Sequence, residues 1–169
     1  HQLVQTVTVE AQRPAESSRE WPQRDLALIA TLLLTGIRSD ELIRLDVGSI
    51  LGGAGTPVLR VLGKGAIERE IPLEDSWTAI VSSYLEERYA RFPAPRRQVR
   101  GERDDPAVWE RYPGTDPLFV GSDGQRITRG TLQYRVRRLY RRAGIESERK
   151  RGALAHALRH TFATSLADS

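Results

Sequence analysis

The sequence predicts an α+β fold that is mainly helical and carries one small antiparallel β-sheet. Apolar residues recur at helical spacing in several stretches, each of which would bury one face of a helix in a core. Two short β-prone runs between residues 57 and 71 are joined by a glycine-rich turn. At 169 residues the chain is long enough for one domain with a proper core and too short for two comfortable ones.

The first predicted elements place an arginine at a junction between two helices. Residues 1–20 mix polar residues with a proline, so they predict a linker or an arm that follows an expected upstream domain. A helix is predicted from Asp25 to Gly36, because glycine suits a helix C-terminus. Ser39 is expected to cap the next helix, whose first turn holds acidic residues that the helix dipole favours. Arg38 therefore lies between the two helices.

The β-prone runs predict a hairpin with a lysine at its tip. Residues 57–62 and 67–71 flank the sequence Gly-Lys-Gly-Ala, which places Lys64 in an exposed turn. Lys64 is one of only two lysines among the 26 basic residues of the chain. Two interpretations stay open on this pattern alone: an ordinary glycine-rich turn, or a cation held out for a ligand.

The second half of the chain predicts two more helices and a long irregular segment. Residues 75–91 show amphipathic spacing, with Trp77 and Tyr84 on the inner face and Arg88 on the outer face. Residues 92–117 combine prolines with many charges and little periodicity, which predicts a long surface loop. A short buried strand and a basic helix are expected to follow, over residues 118–120 and 128–142.

Composition limits the classes of partner and site. The formal charge of +4 and the pI near 9.8 fit a polyanion partner, and basic residues crowd into residues 91–103 and 135–151. A solvated helix face followed by a loop fits that crowding equally well. The absence of cysteine excludes disulfides and thiolate chemistry, and three histidines without suitable neighbours predict no metal and no cofactor. No apolar run reaches the ~20 residues of a bilayer span, so we expect a cytoplasmic protein with no membrane association.

A run near the end of the chain, His-Ala-Leu-Arg-His-Thr-Phe-Ala-Thr, indicates a phosphate site. On a helix, His156 and Arg159 share one face and would present an imidazole and a guanidinium to one ligand. Leu158, Phe162 and Leu166 would form a separate apolar stripe that packs in a core. Histidine and arginine at this spacing also occur on solvated helices. The functional interpretation gains weight from a second arginine cluster, Thr-Gly-Ile-Arg-Ser-Asp-Glu-Leu.

Four motifs, taken in order, closely resemble the catalytic domain of the tyrosine recombinases, the phage integrase family: TGIRSDEL, LGKGAIEREIPL, LF before a glycine turn, and HALRHTFAT. The resemblance runs from about Arg24 to the end of the chain. It implies the tyrosine recombinase catalytic-domain fold, in a partial form, over residues 21–169. It also implies a site-specific DNA recombinase that breaks and rejoins DNA through a 3′-phosphotyrosyl intermediate.

The resemblance implies a role for each matching residue. It assigns catalysis to four residues and support to two: Arg38, Lys64, His156 and Arg159, and then Glu41 and His160. Two arginine forks match the non-bridging oxygens of a phosphodiester under attack and bind them with charge-assisted hydrogen bonds. Lys64 would protonate the departing 5′ oxygen, and His156 would assist proton movement at the nucleophile. Glu41 would orient or pack, and His160 would form structural hydrogen bonds.

The resemblance also implies double-stranded DNA as the partner and a homotetramer on DNA as the assembly of the full-length protein. Five basic residues are expected to contact DNA: Arg129, Arg135, Arg138, Lys150 and Arg151. Ile67 departs from the family pattern, in which a basic residue often follows the Gly-Lys-Gly turn. One DNA contact is therefore expected to be weaker, and no small-molecule cofactor is expected.

The family's nucleophilic tyrosine follows the His-x-x-Arg motif, whereas the five tyrosines of this chain all precede it: Tyr84, Tyr89, Tyr112, Tyr134 and Tyr140. We therefore expect the nucleophile beyond Ser169 and no activity from this fragment itself. One alternative is a non-catalytic DNA-binding remnant or decoy that has lost the nucleophile. A phosphatase or other phosphate-handling enzyme is a third reading, and it requires a bound metal or an internal nucleophile.

Overall fold

A computed structural model describes residues 20–53, 55–93 and 105–142, together with Val9. Within these residues the chain forms four α-helices: α1 (Pro22–Thr35), α2 (Ser39–Arg44), α3 (Asp75–Arg91) and α4 (Arg129–Arg142). One antiparallel sheet has the strand order β1-β2-β3, with β1 at Ile50–Leu51, β2 at Val58–Leu62 and β3 at Glu68–Pro72. The predicted α+β, mainly helical fold with a small antiparallel sheet is confirmed. The arm predicted over residues 1–20 lies almost entirely outside the described residues.

Helix α1 is buried along most of its length and ends in a sharp turn. Pro22 occupies its first turn, where a backbone N–H has no helical partner, and Gly36 closes it with a φ of 66°. Helix α2 begins at Ser39 itself, so the expected serine cap is wrong and Arg38 takes the capping position. The carboxylate of Glu41 accepts the otherwise unpaired N–H of Arg38, at 3.0 Å.

The hairpin of the sheet matches the prediction. Strand β2 pairs with β3 from Val58 opposite Pro72 to Leu62 opposite Glu68. Along β2 the side chains alternate, so that Val61 is buried while Leu62 is exposed. The sheet therefore packs one face on the core and turns the other to solvent.

Trp21, which precedes α1, is enclosed by cations and aromatic rings. The centre of its ring lies 4.6 Å from the guanidinium carbon of Arg91 and 5.4 Å from that of Arg24. The rings of Tyr84 and Phe92 lie 5.3 and 6.1 Å away, and only 1% of Trp21 is exposed. These contacts fix the start of α1 against α3.

Helix α3 spans the predicted residues, but one of its arginines points inward. Trp77 is buried as expected, and its indole N–H donates to the hydroxyl of Thr31 on α1 at 2.9 Å. The expectation that Arg88 lies on the outer face is wrong, because Arg88 is 7% exposed and donates to the carbonyls of Pro117 and Leu118. These carbonyls belong to an irregular segment, so a side chain supplies the donors that a regular element would have provided.

A surface loop is predicted over residues 92–117. For residues 105–117 this prediction is wrong. This part contains a 3-10 turn and is anchored in the core. Trp109 donates to a carbonyl of the loop after β1 at 3.0 Å, and the hydroxyl of Tyr112 donates to a carbonyl of α3 at 2.7 Å. Residues 94–104 lie outside the described residues. Periodicity misses such a segment because its burial depends on distant partners.

The buried strand expected at residues 118–120 is buried but is not a strand. All three side chains lie in the core. Instead of a ladder, the chain forms two isolated bridges, between Val120 and Arg126 and between Asp46 and Pro117. This segment therefore joins the core as irregular backbone rather than as a fourth strand of the sheet.

Candidate active site

Arg38 is exposed on a fixed backbone. The left-handed turn at Gly36 redirects the chain, and the next residue, Ile37, is 1% exposed and anchors it in the core. Arg38 follows with extended backbone angles, φ −78° and ψ 157°, and its side chain faces solvent. Within the part of the chain that the structure describes, its guanidinium forms no ion pair. An exposed guanidinium without an acidic partner keeps its donors available for an anionic ligand.

Lys64 lies at the exposed tip of the β2–β3 hairpin, in the 3-10 turn Lys64–Ala66. The N–H of Gly63 donates to the carbonyl of Ile67 at 2.8 Å and closes the turn. Gly65 adopts a φ of 75°, which a residue with a side chain rarely takes. The ammonium group of Lys64 forms no ion pair with any described residue. The hairpin therefore presents Lys64 as a second unpaired cation.

Glu41 connects the helix junction to the hairpin. Its carboxylate accepts two hydrogen bonds from Arg69 of β3, Nη1 to Oε1 at 3.1 Å and Nη2 to Oε2 at 2.8 Å. The same Oε2 accepts the backbone N–H of Arg38. Burial alone would raise the pKa of Glu41, but the hydrogen bonds from Arg69 and Arg38 outweigh it and lower the pKa below its usual value. Glu41 is thus an ionised organiser of this region rather than a proton donor.

Gly63 allows the pair of Glu41 and Arg69 to reach the hairpin turn. A Cβ added at Gly63 would lie 3.3 Å from Nη1 of Arg69 and 3.7 Å from Oε1 of Glu41. The ion pair therefore lies directly against the residue that precedes Lys64. The structure thus connects Arg38 and Glu41 directly and brings Glu41 and Arg69 to the residue that precedes Lys64.

Sequence reasoning missed Arg69, although the chain carries a signal for it. Arg69 lies opposite the buried Val61 in the hairpin register, so both side chains belong to the inner face of the sheet. The flanking Glu68 and Glu70 belong to the outer face. An arginine on the inner face of an amphipathic strand needs a carboxylate partner, and this requirement follows from the alternation alone.

Five of the predicted site residues belong to the last 20 residues of the chain. His156, Arg159, His160, Lys150 and Arg151 all lie outside the described residues. Among the residues that are described, no three His, Cys, Asp or Glu side chains are grouped as a metal site requires. No helix in the same part of the chain is long and apolar enough to cross a membrane.

The three described arginines that were predicted to contact DNA lie in different environments. Arg129, at the start of α4, is 63% exposed and pairs with Asp40 of α2. Arg138 is 30% exposed and pairs with Glu20, which also contacts Arg142. Of these three arginines, only Arg129 is well exposed.

Arg135 faces the core rather than solvent. Its side chain is 11% exposed and lies 3.7 Å from the carboxylate of Asp25 on α1. Burial raises the pKa of Asp25, and the neighbouring guanidiniums of Arg24 and Arg135 lower it in part. The guanidinium of Arg135 is thus largely buried and paired with Asp25, while the side chain also lines a cleft beside the start of α4.

A cleft of about 450 Å³ opens beside the start of α4. Thr128, Thr131 and Tyr134 line it from the helix, and Ser122 and Asp123 line it from the preceding turn. Thr128 accepts the N–H of Thr131 at 3.2 Å and so caps the helix. Tyr134 is 58% exposed, which makes this end of α4 an open surface of mixed polar and apolar character.

Comparison with known proteins shows the family. The model of the phage integrase family matches residues 8–169. Tyrosine recombinase XerD of Proteus mirabilis is 34% identical over 143 residues, a match that covers 85% of this chain and 39% of that protein. Tyrosine recombinase XerC of Erythrobacter litoralis is 30% identical over 166 residues, covering 98% of this chain and 45% of that protein. The chain belongs to the phage integrase family of tyrosine recombinases.

Solved structures agree on the fold. The XerH site-specific recombinase, in a post-cleavage complex with a palindromic difH substrate, superposes with a TM-score of 0.67 at 25% identity, over 98% of this chain and 39% of that one. The XerA recombinase has the same fold, with a TM-score of 0.66 at 22% identity over 98% of this chain and 47% of that one. The predicted tyrosine recombinase catalytic-domain fold is confirmed. The chain spans less than half the length of these relatives.

Proposed function

We propose that the full-length protein is a site-specific recombinase that breaks and rejoins double-stranded DNA through a 3′-phosphotyrosyl intermediate. The observation that carries this proposal is the pairing of two exposed cations, Arg38 and Lys64, on elements joined by one buried carboxylate, Glu41. Neither cation forms an ion pair with a described residue. Family membership supports the reaction class, and the related XerH in its post-cleavage DNA complex supports DNA as the substrate.

Arg38 and Arg159 bind the phosphate under attack. Negative charge grows on its non-bridging oxygens in the transition state, and guanidinium forks match those oxygens better than ammonium groups do. The tyrosine oxygen forms a bond to phosphorus while the bond to the 5′ oxygen breaks. Lys64, at the tip of the hairpin, donates its proton to that departing oxygen, and His156 assists proton movement at the nucleophile. A covalent intermediate conserves the bond energy, so the second transfer can rejoin the strands.

The nucleophilic tyrosine lies beyond Ser169 in this proposal. Support comes from two described tyrosines that are committed to the core. Tyr84 donates to the carbonyl of Leu118 at 2.9 Å and accepts the N–H of Val120, and burial raises its pKa. Tyr112 donates its hydroxyl to the backbone of α3. The 169-residue chain by itself should therefore form no covalent DNA adduct.

DNA contacts of the described part begin at the exposed end of α4. Arg129 lies there between Thr128 and Gly130, which line the cleft, and a helix N-terminus favours phosphate. Lys150 and Arg151 are proposed to extend this surface. Arg135 and Arg138 instead serve the packing of α4, since their side chains are only 11% and 30% exposed, against 63% for Arg129. By resemblance to the family, the full-length protein assembles as a homotetramer on DNA.

A nicked suicide substrate tests the proposal, because loss of the short flanking strand traps the covalent intermediate. The full-length protein should form an adduct, and Arg38→Ala or Arg159→Ala should slow its formation by about 10³-fold. Arg44→Ala is a matched control, since Arg44 is an exposed arginine of α2, six residues further along. Normal cleavage by Arg159→Ala would contradict the site. Salt-dependent DNA binding without any adduct would instead favour the non-catalytic remnant.

A further inference from the structure

We infer that Arg69 is a positioning residue, which holds the hairpin that carries Lys64 against the helix junction that carries Arg38. It acts through Glu41 and does not touch the reacting phosphate. This inference rests on the proposed function, because it concerns the proton that Lys64 delivers during DNA cleavage.

The contact between Arg69 and Glu41 has the geometry of a rigid link. The two terminal nitrogens of the guanidinium each donate to a different carboxylate oxygen, Nη1 to Oε1 at 3.1 Å and Nη2 to Oε2 at 2.8 Å. A bidentate pair of this kind fixes orientation as well as distance. The Glu41 side chain is only 9% exposed, whereas that of Arg69 is 41% exposed. The link therefore reaches from a buried helix position to the edge of the sheet.

The hairpin register places Arg69 where this link can form. Arg69 pairs with Val61, which is 1% exposed, so its side chain leaves the sheet on the face that packs toward the core. A shift of one residue would move Arg69 to the outer face and break the link. The position of the strand and that of the ion pair therefore depend on each other.

Two contacts connect this link to the residues that are proposed to act on DNA. On one side, Glu41 accepts the backbone N–H of Arg38 at 3.0 Å. On the other side, Nη1 of Arg69 would lie 3.3 Å from a Cβ at Gly63, the residue before Lys64. One ion pair thus contacts the backbone of Arg38 and the residue before Lys64, which belong to different elements.

The charge of Arg69 also keeps the link closed. The hydrogen bonds to Glu41 raise the pKa of Arg69, and those from Arg69 and Arg38 overcome the effect of burial and lower the pKa of Glu41. Both groups therefore stay ionised near neutral pH. Lysine at position 69 would keep the charge but not the fork geometry.

Single-turnover cleavage by the full-length protein tests the inference with two matched substrates. One suicide substrate carries the normal 5′ oxygen as the leaving atom, and the other carries sulfur in its place. With oxygen, the departing group takes a proton from Lys64. A thiol has a pKa of about 8.5 against about 15.7 for water, so the sulfur departs as a thiolate without that proton. A variant that misplaces Lys64 is slow only with oxygen.

Arg69→Gln should slow cleavage of the oxygen substrate by about 10- to 100-fold, as expected when general acid catalysis is impaired. With the sulfur substrate its rate should lie within about threefold of the wild-type rate. Its dissociation constant for DNA should stay within about threefold, because Arg69 makes no phosphate contact in this scheme. Arg69→Gln should add little to the loss caused by Glu41→Gln in the double variant, since both act through one link.

Arg60→Gln is the matched control. Arg60 lies on the same hairpin but on its outer face, 47% exposed, with contacts to Glu68 and Glu70 at 3.9 and 3.8 Å. It should cleave both substrates at nearly the wild-type rate. Equal slowing of both substrates by Arg69→Gln would overturn the inference, and so would an unchanged rate with oxygen. If thermal unfolding shows that Arg69→Gln is not folded at the assay temperature, Arg69→Lys carries the same comparison.

Lys64→Ala separates this inference from the proposed function. Its cleavage should be slow with oxygen and recovered with sulfur. If wild type cleaves and Lys64→Ala behaves in this way while Arg69→Gln does not, only the role of Arg69 is lost. If wild type forms no adduct with either substrate, the proposed function fails, and the inference fails with it.

Discussion

Two clusters on this domain each combine two arginines or more with a carboxylate, but only one of them leaves an arginine side chain without an ion pair. In the core cluster, between α1 and α4, the guanidiniums of Arg24 and Arg135 both contact Asp25, at 2.9 and 3.7 Å. In the junction cluster, Glu41 binds the guanidinium of Arg69 but only the backbone of Arg38. An acid shared by two guanidiniums commits both to the fold. An acid that takes one guanidinium and one amide leaves the second guanidinium for a ligand.

Burial explains why the two clusters differ. Arg24 is 0% exposed and also donates to the carbonyl of Val120, so its donors serve the core. Arg38 lies after a glycine turn at the surface and forms no ion pair with a described residue, although its charge helps to lower the pKa of Glu41. A buried arginine must be paired, whereas an exposed one can remain unpaired at little cost. Unpaired exposure therefore marks function better than arginine content does.

The largest effect is expected from removing the guanidinium of Arg38, which forms no ion pair in the junction cluster. Arg38→Ala should lower the rate of covalent adduct formation by the full-length protein by about 10³-fold, the effect of losing a donor to the transition-state oxyanion. Its thermal unfolding midpoint should not change, since Arg38 forms no ion pair with the described residues. Single-turnover rates and thermal unfolding check both parts. A large drop in the unfolding midpoint would place Arg38 with the core cluster.

Removing the shared acid of the core cluster should have the opposite pattern. Asp25→Ala leaves the buried guanidiniums of Arg24 and Arg135 without their carboxylate, which should cost about 3–5 kcal/mol in the free energy of unfolding. Urea unfolding measures this loss. Asp75→Ala is the control, because Asp75 lies exposed in the first turn of α3 and should cost about 1 kcal/mol or less.

A pair of variants on α4 sharpens the distinction between packing and DNA binding. Arg129→Ala should weaken DNA binding about three- to tenfold and reduce the slope of log K against log salt by about one. Arg138→Ala should leave that slope unchanged and lower the free energy of unfolding by about 1 kcal/mol, because Glu20 keeps its contact with Arg142. Equal salt slopes for the two variants would remove the distinction between these arginines.

The smallest expected effect is the acid dependence that Glu41 adds to stability. The folded pKa of Glu41 is lowered below its ordinary value of 4.5, so the native state binds fewer protons than the unfolded state in this range. The stabilisation is complete above pH 4.5 and is lost as the pH falls through the lowered folded value. Urea midpoints followed from about pH 6 down to about pH 3 should therefore fall less steeply for Glu41→Gln than for wild type. Identical slopes would argue against the ionised link.

The sequence predicted those elements that local patterns determine. Helix α1 and its glycine end, the hairpin with Lys64 and helix α3 all follow from spacing and turn residues within about 20 positions. Residues 105–117 did not, because their burial depends on Trp109 and Tyr112 reaching distant carbonyls. Periodicity carries no information on such partners.

The candidate site shows the same limit. Arg38 and Lys64 could be chosen from motifs, because the motif itself carries the chemistry. Arg129 and Arg138 lie on the same helix and differ in exposure and in partners, and the Glu20 that pairs with Arg138 lies 118 positions away. Arg69 and Glu41 lie 28 positions apart and meet only once the sheet has formed. The sequence thus shows which side chains are charged, and only the folded structure shows which of them form ion pairs.

The enclosure of Trp21 has a mechanical consequence for the whole domain. Helix α1 runs for 14 residues, about 21 Å, from this anchored ring to the turn that bears Arg38. Arg91, which lies against the ring, also donates to the carbonyl of Glu20 at 3.0 Å and so clamps the backbone where residues 1–19 join the domain. A force applied to residues 1–19 would therefore act first on the contacts of Arg91 at the start of helix α1. The other end of α1, next to Arg38 and the proposed phosphate site, is thereby protected from force applied to residues 1–19.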